Sequence, residues 1–159
     1  HFSDALLSAI DKRGVDRRFL TLHVGPGTFR PVKEAQIEKH TMDAERYEIP
    51  TDTAAAVAGA HATGHRVVAV GSTSVRTLET CADGNGGVVP GKGRSSIFIH
   101  PPYEFKVVDA MLTNFHLPCS TLLMMVSALA GRELIMEAYK QAISERYMFY
   151  SYGDCMLIL

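Results

Sequence analysis

The stretch R-V-V-A-V-G-S-T-S-V-R-T-L-E, residues 66–79, carries the clearest α/β signal in the chain. Its apolar run, bounded by Gly64 and Gly71, reads as a strand buried on both faces, as in a parallel sheet covered by helices. After Gly71, the apolar residues Leu78 and Cys81 or Ala82 continue at helical spacing. Strand, glycine, three hydroxyls and helix make an anion-binding turn, because the first turn of a helix leaves N–H groups unpaired and its dipole favours negative charge. Gly71, Ser72, Thr73 and Ser74 form that turn, and Arg76 adds a donor suited to a carboxylate or phosphate. Ordinary capping by Ser72 or Thr73, with Arg76 on the surface, accounts for the same residues equally well on chemistry alone.

On the N-terminal side, Ser3 suits an N-cap, Leu6, Leu7 and Ile10 share a face, and Gly14 suits a C-terminal stop, so residues 4–13 read as a surface helix. Phe19–Val24 reads as a strand running into Gly25-Pro26-Gly27. In L-H-V-G-P-G-T-F, residues 22–29, Gly25 and Gly27 permit close approach of a ligand, while His23 and Thr28 offer a titratable nitrogen and a hydroxyl at a strand end. A tight turn that needs glycine explains the run without a ligand. Residues 30–50 are polar and read mostly as a solvated strand edge, with His40 and Glu45 as candidate site residues. An alanine-rich helix follows from Thr53 to Thr63, capped by Thr51 and stopped by Gly64. His61 and His65 read as surface histidines near its end, since Gly64 separates them and no third metal ligand is adjacent.

On the C-terminal side, Gly84–Ser96 reads as a flexible Gly-rich loop. It lacks the lysine-serine ending of a P-loop, which excludes a triphosphate site of that kind. Ile97–His100 reads as a short strand stopped by Pro101-Pro102. The run P-P-Y-E-F-K-V-V-D-A-M-L-T-N-F-H-L-P-C-S-T, residues 101–121, sets Asn114, His116, Ser120 and Thr121 beside aromatic residues in a loop that opens an apolar helix. Tyr103, Phe105 and Phe115 suit stacking on a purine or an unstacked RNA base, and suit a core as well. Asn114 fits a base edge, and His116 fits proton transfer near neutral pH. Ser120 or Thr121 caps a helix through Ala130, another runs from Arg132 to Tyr147, and Y-G-D at 152–154 precedes a final strand, Cys155–Leu159. Asp154 reads as a catalytic carboxylate, a ribose acceptor or a structural cap. The succession of helices and strands is that of an α/β fold with a largely parallel, helix-covered sheet, and residues 1–159 read as a single domain.

Composition narrows the function classes. With 159 residues and 47% hydrophobic content, the chain can bury about 70% of its unfolded surface. Net charge is −1, so no bulk positive charge advertises nucleic acid, and any RNA contact must rest on local clusters. Lys12, Arg13, Arg17 and Arg18 form one cluster, read as a solvated helix end. The three cysteines, Cys81, Cys119 and Cys155, are widely spaced and contain no C-x-x-C, a reducing, cytoplasmic pattern. No signal-peptide pattern is seen, and the most apolar stretch, Leu117–Ala130, is too short to span a bilayer.

Taken together, L-H-V-G-P-G-T-F, V-G-S-T-S-V-R-T-L-E at 70–79, the 101–121 run and Y-G-D resemble, in the same order, the S-adenosylmethionine:tRNA ribosyltransferase-isomerases of queuosine biosynthesis. The resemblance implies an α/β domain interrupted by a β-barrel insertion, with the barrel and N-terminal part lying upstream, so that this chain is the C-terminal part. It implies a transferase and isomerase that moves the ribosyl group of S-adenosylmethionine onto 7-aminomethyl-7-deazaguanine in tRNA, giving epoxyqueuosine-tRNA and releasing adenine and methionine. S-adenosylmethionine is then the ribosyl donor and precursor tRNA the partner, with no membrane and a monomeric intact enzyme. No metal is expected.

On the same resemblance, catalysis falls to His23 and His116, then Asp154 and Glu45. The donor falls to Gly25, Gly27, Thr28, Gly71, Ser72, Thr73, Ser74 and Arg76, and the tRNA to His40, Tyr103, Phe105, Asn114, Phe115, Ser120 and Thr121. Two positions depart from the family pattern. Asp43 stands where the second histidine of His-x-Met-His is usual, and Cys119 stands where a basic residue is usual. Two other readings stay open: an S-adenosylmethionine methyltransferase, whose Gly-rich turn and following acidic strand end are not evident, and a noncatalytic RNA- or nucleotide-binding module.

Overall fold

The computed structural model describes residues 2–34 and 36–159. In chain order its elements are α1 (Asp4–Lys12), β1 (Thr21–Leu22), β2 (Glu45–Ile49), α2 (Thr51–Ala62), β3 (Val68–Val70), α3 (Ser72–Thr80), β4 (Gly91–Ser95), β5 (Ala110–Asn114), α4 (Thr121–Ala130), α5 (Arg132–Ser144) and β6 (Cys155–Ile158), with 3₁₀ turns at Pro26–Phe29 and Ile37–Lys39. The helix ends follow local chemistry. Ser3 accepts from the Leu6 N–H at 3.3 Å, Ser120 accepts from the Leu123 N–H at 3.1 Å, and Gly131 at φ +86° separates α4 from α5. Helix α2 starts two residues earlier than expected, directly after Pro50, and the expected cap Thr51 is its first residue.

The strands form two three-stranded sheets, and the expectation of a largely parallel sheet is corrected. The first, in the order β1-β2-β4, is antiparallel throughout. In the second, β3-β5-β6, only β3 and β5 run parallel, with Val68 opposite Ala110 and Val70 opposite Leu112, while β6 returns antiparallel. The reason lies in β2. Glu45, Tyr47 and Ile49 turn inward while Arg46 and Glu48 face solvent, the two-residue alternation of an antiparallel sheet with one wet face. Segment 45–49 is therefore the central strand of its sheet rather than a solvated edge.

Two further expectations change. The Gly-rich segment 84–96 supplies β4, and a strand forms at Gly91–Ser95 instead of Ile97–His100. Gly93 lets β2 and β4 close, since a Cβ there would lie 2.5 Å from the Tyr47 hydroxyl. The preceding turn is clasped by Asp83, whose Oδ1 accepts from the N–H groups of Asn85 and Gly87. Strand β3 is covered on one face only. Ala69, Met111 and Ile158 share the inner face with Val75, Ile99, Val107 and Val126, whereas Val70 and Leu157 on the outer face are 47% and 57% exposed.

Candidate functional site

The first motif ends β1 at the turn 25–29, the 40–45 segment ends at the start of β2, and α3 follows β3. These three segments meet at one buried cluster. Glu45 Oε1 accepts from the Gly25 N–H at 2.7 Å and the Thr28 hydroxyl at 2.6 Å. Arg76 Nη1 donates to Glu45 Oε2 at 2.5 Å and to Thr28 Oγ1 at 2.8 Å. Glu45 is 3% exposed and Arg76 1%, so the charges neutralise one another away from water. Removing either partner would strand the other charge away from water. The remaining guanidinium nitrogens, Arg76 Nε and Nη2, and the Thr121 hydroxyl are buried with no hydrogen-bond partner among the described residues.

This geometry divides the expected donor site. Among the described residues no side chain caps the first turn of α3, with Gly71 at φ +85° and Ser72, Thr73 and Ser74 partly exposed. Arg76 points elsewhere, with its Nη1 edge bound to Glu45. A side chain at Gly27 would collide with the Asp43 carboxylate unless that carboxylate moved. Beside it opens a cleft of about 400 Å³, lined by Gly27, Arg30, Lys33, Lys39, His40 and Asp43 among others. At its wall His40 Nδ1 donates to Glu34 at 3.0 Å, which holds the Glu34 carboxyl below the usual range, and the imidazole packs edge-on against Phe98.

The two histidines expected to move protons lie on different sheets. His23 follows β1 and is exposed. His116 follows β5 and is buried, with Nε2 3.1 Å from Thr113 Oγ1 and its backbone N–H donating to the Tyr139 hydroxyl at 2.6 Å. Burial pushes its pKa down to about 4, so the ring is neutral at pH 7. Asn114 Nδ2 donates to the Asp154 carbonyl at 3.0 Å, tying the end of β5 to the Y-G-D motif that precedes β6. The Asp154 carboxylate accepts from the Met148 N–H at 2.5 Å, the contact of a structural cap. Phe115 is buried edge-on against Tyr139 and Tyr147, while Tyr103 and Phe105 pack on each other at the core margin. Ser120 donates to Leu117 O at 2.7 Å while capping α4.

Two residues with structural leverage went unrecognised in the sequence. Glu79 accepts from the backbone N–H groups of Lys106, Val107 and Val108 and from the Tyr103 hydroxyl, at 2.9–3.1 Å. It is the last residue of V-G-S-T-S-V-R-T-L-E, and its place in that motif was the available signal. His61, read as a surface histidine, bridges Gly86 O at 2.5 Å and Asp109 Oδ2 at 2.8 Å. Both partners are acceptors, so the geometry suits the imidazolium, and the Asp109 hydrogen bond raises its pKa.

The fold is mixed α/β, with its distant motifs pinned together by a buried Glu–Arg pair. The chain belongs to the queuosine biosynthesis protein family, whose model matches residues 1–158. It is 60% identical over 159 residues to the S-adenosylmethionine:tRNA ribosyltransferase-isomerase of Thermus thermophilus, covering 100% of this chain and 46% of the relative. The enzyme of the same name from Natranaerobius thermophilus is 59% identical, covering 99% of this chain and 46% of the relative. The crystal structure of the S-adenosylmethionine tRNA ribosyltransferase from Thermotoga maritima superposes with a TM-score of 0.79 at 42% identity, covering 99% of this chain and 50% of that one. The chain thus spans about half the length of the relatives it matches.

Proposed function

We propose that this chain is the C-terminal part of an S-adenosylmethionine:tRNA ribosyltransferase-isomerase. It takes part in moving the ribosyl group of S-adenosylmethionine onto 7-aminomethyl-7-deazaguanine in tRNA, forming epoxyqueuosine with release of adenine and methionine. The observation that carries this reading is the 60% identity to an enzyme so named across the whole of this chain. The cysteine pattern supports a cytoplasmic setting, and no helix among the described residues is long and apolar enough to cross a membrane.

The sulfonium of the donor acidifies the proton beside it, so the protein's tasks are to position the substrates and move protons. We assign proton removal to His23, exposed at the end of β1. His116, neutral at pH 7, acts through a ring nitrogen as a hydrogen-bond partner rather than as an imidazolium. The uncapped first turn of α3 receives the methionine carboxylate through its free N–H groups. Glu45 and Arg76 hold the Gly25–Thr28 turn in place, and the engagement of both Glu45 oxygens argues against its use as a base. Tyr103 and Phe105 offer their outer edges to the base.

Calorimetric titration of this chain with S-adenosylmethionine tests the donor site. Ser72→Pro removes one N–H at a helix position that tolerates proline. Saturable binding weakened by this variant is expected, and binding unaffected by it would remove the α3 turn from the site. A reading as an RNA-binding module without turnover draws on one fact, that the chain covers only 46% of its relative.

A further inference from the structure

The outer face of the first sheet carries a row of basic residues that its own packing does not explain. Arg46 on β2 lies directly opposite Arg94 on β4. On the other side of β2, the His23 N–H donates to Arg46 O at 2.8 Å, which extends the β1 ladder and sets His23 beside Arg46. All three residues are exposed. The neighbouring row shows the ordinary arrangement, with Lys92 opposite Glu48 and their charged atoms 3.2 Å apart. Like charges directly opposite on a sheet are unfavourable. Among the described residues neither Arg46 nor Arg94 has a carboxylate within ion-pair distance. The basic cluster visible in the sequence is different: Arg17 pairs with Asp11 at 2.6 Å, and Arg18 with Asp16 at 3.1 Å.

We propose that this face binds the sugar-phosphate backbone of tRNA, with Arg46 and Arg94 on phosphates and His23 alongside. The identity of the polyanion as tRNA rests on the function proposed above. An open sheet face, with the 400 Å³ cleft lined by other residues, suits an extended polyanion better than a small enclosed ligand. Arginine forks suit phosphate, and the Arg94 guanidinium is already oriented by donating to Ala44 O at 3.0 Å. Because net charge is −1, attraction to RNA must come from such a local row. His23 in this row places the proposed base next to the bound strand.

The test is the salt dependence of precursor-tRNA binding by the full chain, read by fluorescence anisotropy. Each phosphate contact contributes about 0.7–0.9 to the slope of log affinity against log salt. Arg46→Ala with Arg94→Ala is expected to lower that slope by about 1.5. Arg46→Lys with Arg94→Lys retains charge and should keep most of it, as should the control Arg17→Ala with Arg18→Ala. Thermal unfolding of the alanine variant is expected to stay nearly level, since the removed repulsion offsets loss of the exposed Arg94–Ala44 O hydrogen bond; a large fall would point to a structural role instead. Should the alanine pair not fold, Arg46→Gln with Arg94→Gln carries the same expectation. An unchanged slope in a folded variant overturns this proposal alone. Absence of salt-dependent tRNA binding by the unmodified chain overturns it together with the tRNA part of the proposed function.

Discussion

Arg76 Nη1 sits 2.5 Å from Glu45 Oε2, both side chains almost wholly buried, so the middle of α3 is tied to the first residue of β2 across 31 positions of sequence. Glu45→Ala leaves a buried guanidinium without its counter-charge, and a loss of about 3–5 kcal/mol is expected. Replacing both together, Glu45→Met with Arg76→Leu, should cost less than either single truncation, because no charge is stranded. Urea unfolding midpoints of Glu45→Ala, Arg76→Ala and the double variant check this, and additive losses would show that the pair is not coupled.

Gly27 leaves room for the Asp43 side chain. Gly27→Ala forces the Asp43 side chain to move, with a destabilisation of about 1–3 kcal/mol as for other overpacked sites. Adding Asp43→Ala removes the two shortest contacts and should restore part of that loss. If the second substitution gives no recovery in thermal unfolding, the close approach is not what requires glycine.

Glu79 is the only side-chain partner of the N–H groups of Lys106, Val107 and Val108 among the described residues. Glu79→Ala leaves them buried or nearly so, each costing about 1–3 kcal/mol. Hydrogen exchange at these three amides should accelerate far more than at the α4 amides. Uniform acceleration would instead point to a global effect.

The pH dependence of stability has two opposed contributions. His61 has a raised folded pKa, so its stabilisation is full below about 6.5 and declines as pH rises through the folded value. His116 has a folded pKa of about 4, so the unfolded chain binds the extra proton between about 4 and 6.5 and stability falls as pH drops through that window. The acid-side loss is on the order of 3 kcal/mol. His61→Gln should flatten the alkaline limb and His116→Gln the acid limb; denaturant titrations from pH 4 to 8 distinguish them.

The helices and β3 were legible because their signals are local: Ser3 and Gly14 bound α1, and the V-V-A-V run followed by Gly71 announces a strand and a helix. The first sheet was obscured by Glu45. A carboxylate on the inner face breaks the apolar alternation that reveals a strand, and its burial makes sense only once Arg76, far along the chain, is brought to it. β4 was hidden because Gly91 and Gly93 read as loop, while Gly93 admits the Tyr47 side chain and Gly91 adopts a positive φ of 136°. The motifs were found as candidates, yet their roles divide in a way spacing does not reveal. Arg76, Glu45 and Asp154 turn into the structure, whereas His23 and the α3 turn face outward.

The assignment of this chain to ribosyl transfer predicts tRNA-dependent release of adenine from S-adenosylmethionine. The enzyme to use is a chimera in which residues 1–159 replace the matching segment of the Thermus thermophilus relative. Release at a rate close to that of the parent enzyme, abolished when precursor tRNA is withheld, is the expected result. A folded chimera that binds both substrates but liberates no adenine would contradict the assignment of this chain to the ribosyl-transfer reaction.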